Sequence, residues 1–284
     1  MNTLLSDELW NAIALYLPEP PATPKRGRRR LPDRDCLQGI LYVLREGIRW
    51  QSLPTALGWG SGSTCWRRFH DWTALGLWQK AHWHLVAALG ERGLLNLERA
   101  IVDSSSCRAH AGGEHTGPNP TDRAKAGCKR HLLTDGSGIP LVVTVGPANH
   151  RDETAVPQLL WLLWAVLACL GGGRRRVGAV QGDRGYGFPW TIALVLAWGL
   201  RSLLAVRGSS HGSGLGHTRF VVERTHSWFG HFRRLVQCYE RKEAHFLGFQ
   251  QLAACVICAQ RLRLGRQPGE EFQPFAPTVR SCLG

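Results

Sequence analysis

The sequence predicts an α/β protein: a mixed sheet with flanking helices, preceded by a small helical, helix-turn-helix-like domain. Up to about residue 95, apolar residues recur at helical spacing with no β-rich run between them. From about Glu98, short β-rich runs alternate with helical patterns, the order that builds a mixed sheet. Two of those short runs end in a carboxylate, Asp103 and Asp183.

In the N-terminal part, Ser6 is placed to cap a helix over residues 7–17, which the Pro-rich stretch 18–24 ends. A basic run follows, made of Lys25, Arg26, Arg28, Arg29 and Arg30. Residues 34–45 carry Leu37, Ile40, Leu41 and Leu44 at helical spacing, and Gly47 closes that helix. A third helix starts near Ser61 or Ser63. It sets Trp66, Phe69 and Trp72 on one face, and Thr64, Arg67, Arg68 and Asp71 on the other. Two helices followed by a basic third fit a module whose last helix enters the major groove. A small bundle with an exposed basic face is the alternative.

In the second part, residues 100–104 form a β-like run. Residues 129–134 and 140–145 form two more, joined by the hairpin signal Asp135-Gly136-Ser137-Gly138. Residues 153–170 read as an apolar helix that tolerates Pro157 in its first turns. A strand over 177–181 delivers Asp183; a helix over 190–198 and a strand over 201–206 come next. A helix from about Arg219 and a last one over 244–262 complete the set. The domains expected are therefore 1–95, helical and DNA-binding; 96–264, catalytic; and 265–284, a loose tail.

Composition narrows the partners. Hydrophobic residues make up 44% and charged residues 20%, an ordinary globular balance. Against 21 Asp and Glu stand 35 Lys and Arg, a net charge of +14 that favours a polyanion, above all nucleic acid. The most apolar stretch, 155–170, is interrupted by Pro157 and Gln158 and falls short of the roughly 20 residues that span a bilayer, so no membrane role is expected. Residues 1–10 contain Asp7 and Glu8 and lack the basic start of a secretory signal. Nine cysteines in no repeating spacing suit reduced thiols in the cytoplasm, and Cys255 and Cys258 fall in a helical run where burial explains them better than a metal.

A carboxylate at the end of a buried strand is costly unless it is paired or binds a metal. If the strands ending in Asp103 and Asp183 are neighbours, both acids share one crevice, and Glu223 on its helix can close it from the side. Three carboxylates suit a hard cation, Mg²⁺ or Mn²⁺, rather than zinc. Two such ions activate a water or a 3′-hydroxyl and stabilise the leaving oxygen of a phosphodiester. Acids at strand ends are also common as simple turn caps, so spacing alone is weakly specific. His150 and Asp152 are candidates for orienting a metal ligand or for a structural hydrogen bond.

The neighbouring residues supply a resemblance over about residues 3–263. In the N-terminal part it rests on the run Leu37 to Trp50 with Leu53-Pro54. In the second part it rests on Val102-Asp103-Ser104-Ser105, Gly127 to Asp135, Ala148 to Asp152 and Gly182-Asp183-Arg184-Gly185-Tyr186. Val221 to Trp228, Phe232 to Leu235 and Tyr239-Glu240 complete it. In that order these segments resemble bacterial insertion-sequence transposases of the DDE type, in the group typified by insertion sequence number five. The resemblance implies a ribonuclease H-like fold with Asp103, Asp183 and Glu223 as catalytic metal ligands for two Mg²⁺ or Mn²⁺ ions. It also implies hydrolysis at transposon ends, attack of the freed 3′-hydroxyl on target DNA, and a homodimer on DNA, working in the cytoplasm on the nucleoid. Arg219 and Glu223 fit the family's extended glutamate signature. Its Tyr and Lys positions are Gly216 and Gly230 here, which leaves Arg233 or Arg234 to take a phosphate one turn later, or to lie on a solvated face. Trp228 either stacks on an unpaired base or packs in the core. A decayed copy that only binds DNA, and a nuclease without strand transfer, are the competing functions.

Overall fold

The computed structural model describes residues 5–19, 29–170, 176–206, 216–268, 270 and 272–275, without the side chains of 216–219. Lys25, Arg26 and Arg28 lie outside the described residues, as does the side chain of Arg219.

The N-terminal helices are α1 (Asp7–Ala14), α2 (Asp33–Glu46), α3 (Gly62–Ala74) and α4 (Leu77–Glu91). Ser6 caps α1 by accepting the Leu9 amide at 3.3 Å, and Gly47 ends α2 in the left-handed region at φ 68°, both as the sequence predicts. α4 was hidden inside a generally helical stretch. Its separation from α3 rests on Leu75-Gly76, with Gly76 at φ 64°.

The sheet is built from β1 (Ala100–Arg108), β2 (Gly117–Pro118), β3 (Ala126–Asp135), β4 (Pro140–Pro147), β5 (Ala179–Gly182) and β6 (Arg201–Leu204). β3 lies between β1 and β4, antiparallel to both, and the short β2 continues the β4 side at Gly127. On its other side β1 runs parallel to β5, and β5 parallel to β6. This is a ribonuclease H-like mixed sheet with helices flanking it. β3 is buried from Gly127 to Asp135, as a central strand covered on both faces must be. The remaining helices are α5 (Val156–Ala168), α6 (Pro189–Ala197), α7 (Gly216–Gly230), the one-turn α8 (Arg233–Val236) and α9 (Glu243–Leu264).

α9 joins the two parts of the chain. It is buried along most of its length and packs on β4, α1, α3 and α4. Phe249 of α9 stacks on Phe69 of α3 at 4.1 Å between ring centres, and Phe69 in turn lies against Trp78 of α4 at 5.7 Å. Cys255 and Cys258 are buried helical thiols in α9, as the sequence suggested. Trp66 departs from the face expected for it: Phe69 and Trp72 are buried, whereas Trp66 is exposed and stacks on His70. Within 265–284, expected to be a loose tail, Phe272 is buried against Trp228 and Phe275 stacks on His231.

The turn between β3 and β4 is a rigid seat. Asp135 Oδ1 accepts the amides of Ser137 (2.9 Å) and Ile139 (2.7 Å), and Oδ2 accepts that of Asn96 (2.8 Å). Gly138 there has φ +90°, a conformation that L side chains rarely adopt. Onto this turn α7 docks: Thr225 donates to the Gly138 carbonyl at 2.7 Å and Arg224 to that of Ser137 at 2.9 Å.

A second tie fixes α4 to the sheet edge, where buried His82 Nε2 meets the Pro140 carbonyl at 2.8 Å. Burial pulls the His82 imidazole down to about 4. Its folded value lies below the unfolded one near 6.5, so the unfolded chain binds the extra proton between those two values. This contribution to stability is complete above about pH 6.5 and is lost as the pH falls towards 4. Urea unfolding at pH 7.5, 6 and 5 is expected to show wild-type stability falling, and His82→Gln to flatten part of that slope. Superimposed profiles would remove His82 from the acid sensitivity.

Candidate active site

The two acids meet where β1 and β5 part: Asp183 follows the end of β5 as the sequence predicts, whereas Asp103 lies within β1, which runs four residues beyond the end expected for it. Their parallel pairing runs through Ala100 with Val180 and Ile101 with Gln181 and then stops; β5 ends at Gly182 while β1 continues along β3 to Arg108. Carried two residues further, the same register sets Asp103 beside Asp183, on one side of the sheet by the period of two. Such a divergence at the carboxyl ends of parallel strands is a usual place for a ligand crevice. Gly182 permits the close approach, since a Cβ there would lie 2.8 Å from Val102 Cγ1 and 2.9 Å from Leu204 Cδ2.

Each acid is oriented. Asp183 Oδ1 accepts the Gly185 amide at 2.8 Å. Asp103 Oδ2 lies 3.7 Å from His226 Nε2 on α7. Arg130 Nη2, which can only donate, is 3.2 Å from His226 Nδ1. Nδ1 is therefore the acceptor, and the ring proton sits on Nε2, facing Asp103. Burial, with the neighbouring Arg130, pulls His226 down to about 3, so it faces the acid as a neutral donor. Glu223 lies on the same helix three residues earlier, one turn from His226, with its side chain exposed. The β3–β4 turn that seats α7 thus also fixes the helix that carries Glu223.

Asp152 is a fourth carboxylate at this crevice. A Cβ on Gly185 would come within 2.9 Å of Asp183 Oδ1 and 3.6 Å of Asp152 Oδ2, so Gly185 separates the two acids. Asp152 Oδ1 accepts from Ser104 at 2.7 Å and from Lys129 Nζ at 2.8 Å, and Lys129 also reaches the His150 carbonyl at 2.7 Å. Tyr186, 1% exposed, lies against the same acids, and burial with Asp152 and Asp103 pushes its phenol well up. The sequence pointed to Asp152 through its place before α5. Lys129, Tyr186 and His226 lie in the segments that carry the resemblance, but the sequence assigned them no role; those roles come from strand register and helix docking.

The candidate DNA-contacting residues separate into groups. Arg29, Arg30, Arg67 and Arg68 line one groove of about 680 Å³ with Ser61, Thr64 and Asp71. Within it Arg30 pairs with Asp33 at 3.3 Å, and Arg68, half-buried, also pairs with Asp33. Arg67 is exposed. Arg233 is exposed, 3.7 Å from Glu46. Arg234 is buried: its Nη2 and Nε donate to Glu240 Oε1 at 2.6 and 2.8 Å and its Nη1 to the Ile48 carbonyl at 2.9 Å. It braces α8 against the N-terminal helices rather than offering a charge to solvent. Trp228 is 4% exposed, under Arg224 and edge-on to Phe272, and serves the core rather than presenting an open face to a base.

Residues 5–82 match the family described as transposase of IS4/5 family, and residues 96–258 match the one described as Transposase DDE domain. A Burkholderia cepacia protein assigned as the transposase for insertion sequence element IS402 is 38% identical over 177 residues, 62% of this chain and 82% of its own length. A 16.2 kDa protein of the same insertion element and organism, uncharacterized, is 44% identical over 119 residues, 41% of this chain and 81% of its own. Among solved structures, the Mos1 mariner paired end complex with Mn aligns over 83% of this chain and 81% of its own at 11% identity, with a TM-score of 0.28, too low to carry any inference.

Breaking the buried pair by Arg234→Ala is expected to cost about 3–5 kcal/mol, because Glu240 is left buried and charged. Arg233→Ala is expected to stay within about 0.5 kcal/mol. Urea unfolding compares the two; equal effects would mean that Arg234 is no brace.

Proposed function

Because this chain belongs to the DDE transposases, we propose that it cuts DNA at the ends of an insertion sequence and joins the freed 3′-hydroxyl to target DNA. The observation that carries this is the register that brings Asp103 and Asp183 together at the parting of β1 and β5, with the Glu223 helix docked alongside. The partners are double-stranded DNA at the terminal repeats and at the target, bound by a homodimer in the cytoplasm.

The donor set fits hard divalent cations, since half-buried carboxylate oxygens on adjoining strands are what Mg²⁺ or Mn²⁺ takes. Asp103, Asp183 and Glu223 would hold two such ions, which supply charge neutralisation and activation of the attacking oxygen when bound. The protein's own residues do the rest. The Gly185 amide holds Asp183 in place, so that acid need not reorganise as DNA enters, and His226 faces Asp103 from α7. Lys129 and Ser104 fix Asp152 beside Asp183 and offset part of the negative charge gathered there. Arg29, Arg30 and Arg67 hold backbone phosphates along the groove beside α3, with Lys25, Arg26 and Arg28 preceding them in the chain. Arg219, four residues before Glu223 in the chain, and the exposed Arg233 supply further phosphate contacts.

Asp103→Asn and Asp183→Asn are each expected to abolish Mg²⁺- or Mn²⁺-dependent cutting of a duplex carrying the element's ends, with affinity for that duplex nearly unchanged. Cutting by either variant would overturn the assignment. Binding by wild type without cutting in either metal would leave a DNA-binding protein only. Cutting without covalently joined donor–target product would leave a nuclease.

Replacing Arg29, Arg30 and Arg67 together is expected to weaken binding and to flatten its salt dependence by up to about 3 in log–log slope. An unchanged slope would take this groove out of the interface.

A further inference from the structure

We propose that this protein carries a structural zinc ion bound by Cys107, His115, Cys128 and Cys238, a site separate from the acidic crevice. The four residues come from four places in the chain. Cys107 of β1 and Cys128 of β3 are directly paired across the ladder, with their sulfurs 3.3 Å apart. His115 comes from the loop between β1 and β2, and Cys238 from the segment between α8 and α9. That segment is laid against the end of β1: the Cys238 amide donates to the Arg108 carbonyl at 2.8 Å, and the His110 amide to the Cys238 carbonyl at 3.3 Å.

Three of the four ligand atoms are already gathered, and Cys107 joins them through its contact with Cys128. His115 Nε2, Cys128 Sγ and Cys238 Sγ all lie within 4.8 Å of one another, and Cys238 Sγ is 3.6 Å from His115 Nε2. With zinc–sulfur bonds of about 2.3 Å and zinc–nitrogen bonds of about 2.0 Å, neighbouring ligand atoms stand roughly 3.5–3.8 Å apart. Small shifts of the three buried side chains and a rotation of the half-buried Cys107 side chain complete the set. Three cysteines and a histidine are a usual structural zinc set, and soft thiolates select zinc over the ions a carboxylate crevice takes. His115, 1% exposed, is oriented by stacking on Phe246 of α9 at 5.4 Å.

A second feature points the same way. Arg130 is buried two residues along β3 from Cys128, on the same face of the sheet. Among the described residues no carboxylate pairs with it. Its neighbours are Gln250 Oε1, His226 Nδ1 and the Phe229 ring, and its Nε has no partner. A buried cation without an anion is costly. Zinc held by three thiolates and a neutral histidine has a net charge of minus one, which places the missing anion beside this guanidinium. Binding exchanges three S–H bonds for S–Zn bonds and releases up to three protons.

The test is the metal content and cobalt spectrum of the full chain, purified under reducing conditions. About one zinc per chain is expected, retained on dialysis against a chelator that strips Mg²⁺, and retained equally by Asp183→Asn. Substitution with Co²⁺ is expected to give thiolate-to-cobalt charge transfer and tetrahedral ligand-field bands. Cys107→Ser and Cys238→Ser are expected to lose the zinc, and Cys169→Ser, an exposed thiol elsewhere, to keep it. If the site variants fail to fold, the wild-type cobalt spectrum still decides. A chain with no zinc and no thiolate band with cobalt, or a peptide map showing a Cys107–Cys128 disulfide in the native protein, would overturn the proposal.

Discussion

Everything at the candidate site depends on how β1 is paired. Along one edge it matches β3 for nine rungs, from Ala100 with Asp135 to Arg108 with Gly127. Along the other it matches β5 for only two. The long antiparallel ladder fixes the position of every β1 side chain. The short parallel one leaves β1, among the described residues, without a strand partner on that edge beyond Ile101, two residues before Asp103. A slip of one residue against β3 would turn Asp103 to the opposite face and bring Ser104 in its place. The crevice is thus a consequence of unequal pairing on the two edges of one strand.

The second constraint is the seat of α7. A short helix docked only by apolar contacts can slide by a turn. Here the β3–β4 turn is locked by Asp135, whose carboxylate accepts three backbone amides, and its carbonyls take Thr225 and Arg224. Burial pushes Asp135 up to about 6, opposed by those same three amides. Helix α7 then brings His226 to face Asp103, and carries Glu223 one turn before it, exposed. Arg130 reaches His226 from the strand beneath, so the orientation of the imidazole is set from both sides.

Much of this was legible in the sequence because its signals are local. Alternation and turn chemistry gave the strands 100–104, 129–134 and 140–145, and the Asp-Gly-Ser-Gly turn. Strand-end placement singled out Asp103 and Asp183, and the run Val221 to Trp228 identified the helix of Glu223. What the sequence withheld depends on tertiary choices between equal local options. A Trp two turns into an amphipathic helix is read alike whether it faces a core or a base, and Trp228 faces the core. Arg233 and Arg234 are adjacent and chemically identical. Only the presence of Glu240 and the Ile48 carbonyl beneath one of them makes it a brace. His115 and Cys238 are 123 residues apart, with no C-x-x-C spacing to connect them, so their proximity had no signature along the chain.

The pairing of β1 also bears on how two metal chemistries can coexist in a chain of this size. Asp103 and Cys107 are four residues apart on one strand and, by its period of two, project from the same face. A divalent cation of higher intrinsic affinity would outcompete magnesium at any mixed site. The ladder prevents such mixing by spacing: carboxylates gather at the open edge towards β5, while thiols gather where β1 is paired with β3 and capped by the Cys238 segment. Between them stands Arg130, joined to His226 on the carboxylate side and lying by Cys128 on the thiol side. With zinc in the thiol cluster, its single negative charge anchors that guanidinium, and the guanidinium keeps His226 neutral and facing Asp103. The soft site then acts on the hard one through position alone, holding the strand and the imidazole while taking no part in the chemistry at the phosphate.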